Sequence, residues 1–176
     1  MVHHAEASTF EQGLSKAQAY ARVLEEAEAL FAGQRNWVSN LSNASSLLHH
    51  ALKSVDGPVS AINWCGFYFI NPLNHQELIL GPFHGHVACQ SIKVGQGVCG
   101  AAAATMMTEV VPNVDEFPGH IACDSNSKSE IVVPIIQNSK VVAIIDIDCS
   151  ELNGFNSEDA QLLEKLANLI AETCDF

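Results

Sequence analysis

The sequence predicts a single α+β domain with a mostly antiparallel central sheet and flanking helices. Three observations carry this. Apolar residues recur at helical spacing in two segments near the N-terminus and in one at the C-terminus. Short segments with a period of two lie between them. Polar turns of a few residues join neighbouring strand segments, which makes the pairs antiparallel. The chain has 176 residues, enough for one domain with a sizeable core and short for two.

In chain order, residues 1–9 read as a flexible N-terminus and residues 10–176 as the domain. Over residues 10–31, Tyr20, Val23, Leu24, Ala27, Leu30 and Phe31 recur at helical spacing, with Gly33 as a stop. A second helix is expected over 38–53, where Leu41, Ala44, Leu48 and Leu52 form one stripe and Asp56-Gly57-Pro58 breaks the pattern. The stretch SAINWCGFYFI, residues 60–70, reads as a strand. Its alternation sends Ile62, Trp64, Gly66 and Tyr68 to one face and Cys65, Phe67 and Phe69 to the other. Asn71-Pro72-Leu73-Asn74 is the turn and 77–83 the hairpin partner. Residues 84–95 suit a loop, 97–106 a short helix with Cys99 in its first turn, and 109–111 a short strand. Residues 112–129 form a long loop, and a loop of that length in a compact domain is usually functional. Strands over 130–136 and 141–148 pair through Gln137-Asn138-Ser139-Lys140. Asn156 or Ser157 caps a last helix, with Leu162, Leu163, Leu166, Leu169 and Ile170 as its buried stripe.

Composition excludes several functions. The formal charge is −12, and eight basic residues cannot build a phosphate-tracking stripe. Nucleic acid and anionic membrane surfaces are therefore not expected partners. No apolar run reaches membrane-spanning length, and the opening MVHHAEASTFEQG has no signal-peptide core. A cytoplasmic location is expected. There, the six cysteines argue for buried inert thiols or redox chemistry rather than a disulfide framework. No two form a CxxC.

Four constellations have chemical potential. Residues 84–100, HGHVACQSIKVGQGVCG, hold Cys89 and Cys99 among glycines that allow tight turns. Cys99 near a helix N-terminus would feel the positive end of the dipole, which favours thiolate. On the long loop, HIACDSNSKSE sets Cys123 near His120, whose imidazolium would support thiolate, and beside Asp124, which would oppose it. In IIDIDC, residues 144–149, Asp146 and Asp148 project from one strand face, and Glu130 opens the neighbouring strand. Clustered carboxylates raise one another's pKa unless a cation lies between them. Trp64 and Tyr68 share a strand face and suit a methyl, a thioether or a cation. Each constellation also has a plain structural reading: a glycine-rich turn, an incidental thiol, solvated acids, core aromatics. His84, His86, Cys89, Cys99, His120 and Cys123 have spacings that match no familiar zinc pattern. No metal and no cofactor are expected.

The stretches GPFHGHVACQSIKVGQGVCG, VPNVDEFPGHIACDSNSKSEIVVPI and VVAIIDIDC, with NWVSNLSNASSLLHHAL and INWCGFYF, together resemble the free methionine-(R)-sulfoxide reductases. These are GAF-fold enzymes. The resemblance covers residues 36–176 and implies a single GAF-like catalytic domain. It implies that Cys123 attacks the substrate, and that Cys89 and Cys99 are the other redox cysteines, which form disulfides during turnover. Glu130, Asp146 and Asp148 match carboxylates that line the substrate pocket. Trp64 and Tyr68 match its aromatic wall. The implied reaction is thiol-dependent reduction of free L-methionine (R)-S-oxide through a cysteine sulfenic acid and an intramolecular disulfide. Thioredoxin or a similar dithiol is the implied reductant. Terminal helices of GAF domains often pair, so a homodimer is an option. One departure is Gln90-Ser91, where many members carry a basic residue. Cys65, Cys149 and Cys174 receive no role. The alternative is a non-catalytic GAF module that senses a small molecule; the three motif cysteines argue against it.

Overall fold

Two amphipathic helices, α1 (Lys16–Phe31) and α2 (Trp37–Ser54), precede a long hairpin of β1 (Ile62–Asn71) and β2 (Asn74–Gly85). The short strand β3 (Ser91–Lys93), helix α3 (Gly97–Thr105) and strand β4 (Glu109–Val111) follow. A second hairpin, β5 (Ser129–Gln137) and β6 (Lys140–Cys149), leads to the terminal helix α4 (Ser157–Thr173). This computed structural model describes residue 6, residues 8–121 and residues 123–176. The N-terminal segment expected to be flexible lies for the most part outside them. The six strands make one sheet in the order β3-β2-β1-β6-β5-β4, and every neighbouring pair is antiparallel.

Helix ends follow local chemistry. The apolar period begins near Phe10, yet α1 starts at Lys16, because Ser15 and Gln18 close a capping box there. Phe10 instead packs beneath the guanidinium of Arg22, 4.8 Å from its ring centre. Asn36 caps α2. Asn156, not Ser157, caps α4, and Asp159 completes its box. In the β5–β6 turn Asn138 and Ser139 both take positive φ, 49° and 61°. That pair matches the twist of a tight hairpin.

Period-two alternation divides the core. Cys65, Phe67, Ile131, Val133, Ile145 and Ile147 face α1, α2 and α4. Trp64, Tyr68, Val132 and Ile144 face α3 and the loops around it. Ile62 departs from expectation. It packs on the helix side, because the β1–β6 register slips between Ile62 and Trp64. Two residues of β1 there oppose one of β6, and the extra residue, Asn63, shifts the phase. The segment 84–95, expected to be a loop, contains the end of β2 and all of β3. Strand β3 pairs Leu78 with Ile92. Three residues are too few for a period to show.

Candidate active site

Strand β1 organises one cavity on the α3 side of the sheet. Its wall is aromatic: Trp64 stacks on Phe83 at 5.2 Å and on Tyr68 at 5.8 Å between ring centres. Gly66 lies between Trp64 and Tyr68, and a Cβ there would meet Phe83 Cβ at 2.3 Å and Trp64 Cη2 at 2.7 Å. Only glycine lets the indole lie down over the strand.

The cavity floor is acidic. Register sets Glu130 of β5 opposite Asp148 of β6, and Gly66 of β1 opposite Asp146. Three carboxylates therefore share one sheet face, as the spacing of Asp146 and Asp148 anticipated. Glu130 and Asp146 are each only 5% exposed. Burial raises the pKa of Glu130 to about 7, with Asp148 adding to the rise and His120 opposing it. Burial, then the charge of Glu130, raises Asp146 well above the carboxylate range. Burial, then Asp146, does the same for Asp148. His120 Nε2 lies 3.6 Å from Glu130 Oε2. Asp146 Oδ1 and Trp64 Nε1 are buried with no hydrogen-bond partner.

At the mouth, Cys89 and Cys123 form a disulfide with a Cα–Cα separation of 5.6 Å, bridging 34 positions. Both loops are tied to β1. Tyr68 Oη donates to the Cys89 carbonyl at 3.0 Å. Asn63 Nδ2 donates to Asp124 Oδ2 at 3.1 Å and to Ser127 Oγ at 3.0 Å. Asp124 also accepts from the backbone N–H of Asn126 at 2.9 Å. That Asx turn accounts for the acid beside the exposed Cys123. Asn63 went unnoticed in the sequence, because an amide in a strand has no local signature and its position depends on the bulge.

One expectation needs correction. Cys99 does stand in the first turn of α3, but its thiol is pushed well up, first by burial and then by Asp146 and Glu130. A nine-residue helix cannot offset a desolvated thiol facing carboxylates; Cys99 Sγ lies 3.7 Å from Glu130 Oε1. His120, expected near Cys123, lines the same cavity as Cys123 and also faces Glu130. Among the histidines of the dismissed zinc set, His84 stacks on His49 at 5.2 Å, with α2 rather than in the cavity. His86 is exposed, 3.7 Å from Asp124. Cys65, Cys149 and Cys174 are free and buried, and none of them lines the cavity.

Cys89 and Cys123 at the mouth, Cys99 inside, an acidic floor and an aromatic wall form one site in which the residues singled out for chemistry are placed together, save His84 and His86. Residues 17–173 match the GAF domain family. A Saccharomyces cerevisiae protein named free methionine-R-sulfoxide reductase is 51% identical over 175 residues, spanning 99% of this chain and 96% of its own. An Escherichia coli protein of the same name is 39% identical over 153 residues, 87% of each chain. The X-ray structure of free methionine-R-sulfoxide reductase from Neisseria meningitidis, in complex with its substrate, superposes with a TM-score of 0.86 at 37% identity, over 97% of this chain and 95% of that one. By sequence and by fold, this chain belongs to the GAF-domain family of free methionine-R-sulfoxide reductases.

Proposed function

We propose that this protein reduces free L-methionine (R)-S-oxide to L-methionine. The observation that carries the reading is the Cys89–Cys123 disulfide at the mouth of a cavity floored by Glu130, Asp146 and Asp148. A sulfoxide is a poor electrophile until its oxygen receives a proton. Glu130, with its pKa near neutrality, is the donor best matched to that transfer. The Cys123 thiolate attacks sulfur, the S–O bond breaks, methionine leaves and Cys123 becomes a sulfenic acid. A second thiol displaces water from it to form a disulfide. The Cys89–Cys123 pair is one such product state. Cys99, inside the cavity, is the other resolving candidate. A dithiol such as thioredoxin then restores the thiols by exchange, so one substrate and one dithiol give methionine, water and one disulfide. No metal or cofactor takes part in this scheme.

Selectivity for the free amino acid follows from charge. The carboxylates receive the α-ammonium, and Asp146 Oδ1 is an acceptor without a partner. The α-carboxylate meets the amino end of α3, which Gln96 leaves without a side-chain cap and where Gly97 and Val98 line the cavity. A peptide-bound residue has neither charge. Trp64 and Tyr68 pack against the methylsulfinyl end. Three buried free cysteines outside the cavity suit a reducing cytoplasm. Among the described residues no helix is long and apolar enough to cross a membrane.

A thioredoxin-coupled assay tests the reading with the separate R and S sulfoxides of free methionine and an R sulfoxide inside a peptide. Reductant consumption with the free R form alone is expected. Silence on all three, with a reduced and folded sample, points instead to a ligand-sensing module.

A further inference from the structure

We propose that the floor of this cavity is also a binding site for a thiophilic divalent cation, zinc or cadmium, held by the Cys99 thiolate and the carboxylates of Glu130 and Asp146. One ligand atom from each residue lies within 4.8 Å of the other two. All three side chains are nearly enclosed, at 5% exposure. They come from three elements of the rigid core, α3, β5 and β6, so the ligand set is not a surface coincidence.

The second observation is independent of the cluster's sign. Asp146 Oδ1 is buried and makes no hydrogen bond. A buried acceptor left unpaired marks a missing donor or cation. Among the described residues no Lys or Arg lines the cavity, and His120 is the only cation-forming side chain there. The three side chains of the site, with Asp148 beside them, face one another across a space that a small divalent ion would bridge.

The donor set selects the ion. One sulfur and two carboxylate oxygens suit a borderline-soft cation and disfavour magnesium and calcium, which take all-oxygen shells. Three protein ligands leave a fourth position open toward the cavity, where a water completes a tetrahedron. On binding, the Cys99 S–H bond breaks, a sulfur–metal bond forms, and the proton leaves to solvent with any held by the carboxylates. No electrons move. Cys99 is free while Cys89 and Cys123 are joined, so the site exists in the oxidised protein. On the reductase reading, a bound ion holds Cys99 out of disulfide exchange and covers two substrate carboxylates, so zinc inhibits turnover. Binding itself does not rest on that reading.

The test is a cadmium titration of the intact protein with its Cys89–Cys123 disulfide retained, following sulfur-to-cadmium charge-transfer absorbance. No substrate enters the readout. About one equivalent of ion is expected, with Cys65→Ser and Cys149→Ser unchanged. Cys99→Ser loses the band. Asp146→Asn keeps the fold's volume and weakens binding roughly tenfold or more. Excess magnesium leaves the band in place. No band in the folded, oxidised wild-type protein, a band that survives Cys99→Ser, or displacement by magnesium overturns the proposal.

Discussion

The division of labour among the side chains makes sharp predictions. Cys123→Ser removes the sulfur proposed to attack, at an exposed position, so turnover is expected to be lost while the fold stays intact; a coupled assay beside a circular dichroism spectrum checks both. Glu130→Gln keeps the volume and removes the acid, and the rate is expected to fall on the order of a hundredfold. In the wild type, the protonated form of Glu130 is depleted above its pKa of about 7, so the rate declines on that alkaline side. The Gln variant lacks that limb. Stability shows the same group with a definite sign. Glu130 has a folded pKa raised from an ordinary 4.5 to about 7. Its contribution is complete below the unfolded value and is lost as pH rises through the folded one. Over that window the wild type loses at most about 3 kcal/mol. Urea midpoints at pH 5 and pH 8 should therefore differ more for the wild type than for Glu130→Gln.

Among elements, the most consequential joint away from the cavity is between α1 and α4. Asp159 is fully buried, pairs with Lys16, accepts from Tyr20 Oη at 3.1 Å and from the backbone N–H of Asn156 at 2.8 Å. One carboxylate thus caps α4 and docks α1 on it. Asp159→Ala leaves the Tyr20 hydroxyl and an amide without partners. Lys16 retains some exposure and can turn to water, so the loss belongs near the low end of a broken buried pair, about 3 kcal/mol. Denaturant unfolding measures it. Activity per folded molecule should hold, because the joint lies on the face of the sheet opposite the cavity.

At the scale of the whole molecule, the disulfide couples redox state to stability. It closes a loop over 34 positions that contains β3, α3 and β4. Chain-entropy arguments put the stabilisation from a loop of that size at about 4 kcal/mol. The oxidised protein should need more urea to unfold than the reduced one, by a gap that closes in Cys89→Ser. Amide exchange should show where the reduced form loosens: in the loops around Cys89 and Cys123, and less in β1, β5 and β6, whose hydrogen bonds the disulfide does not carry.

The helices, the long strands, the sheet faces apart from that of Ile62, and the residues with chemical potential were all legible in the sequence, whereas β3 was not. The sequence's periods of 3.6 and two residues are local quantities, and they suffice to put Asp146 and Asp148 on one face, Ile145 and Ile147 on the other, and Trp64 beside Tyr68. Motif resemblance supplied the candidate thiols. The packing of distant segments set which thiols meet. Cys89 bonds Cys123 while Cys99 turns to Glu130, a choice made by the approach of two loops that are far apart in the chain. It also decided the environment of Cys99, where burial and neighbouring carboxylates override the helix end. The phase slip at Asn63, which moves Ile62 across the sheet and aims an amide at the Cys123 loop, is set by β1–β6 pairing. The difference is one of range. Backbone periodicity and capping act over a few residues, whereas desolvation, register and disulfide partnership depend on neighbours brought in by packing the rest of the chain.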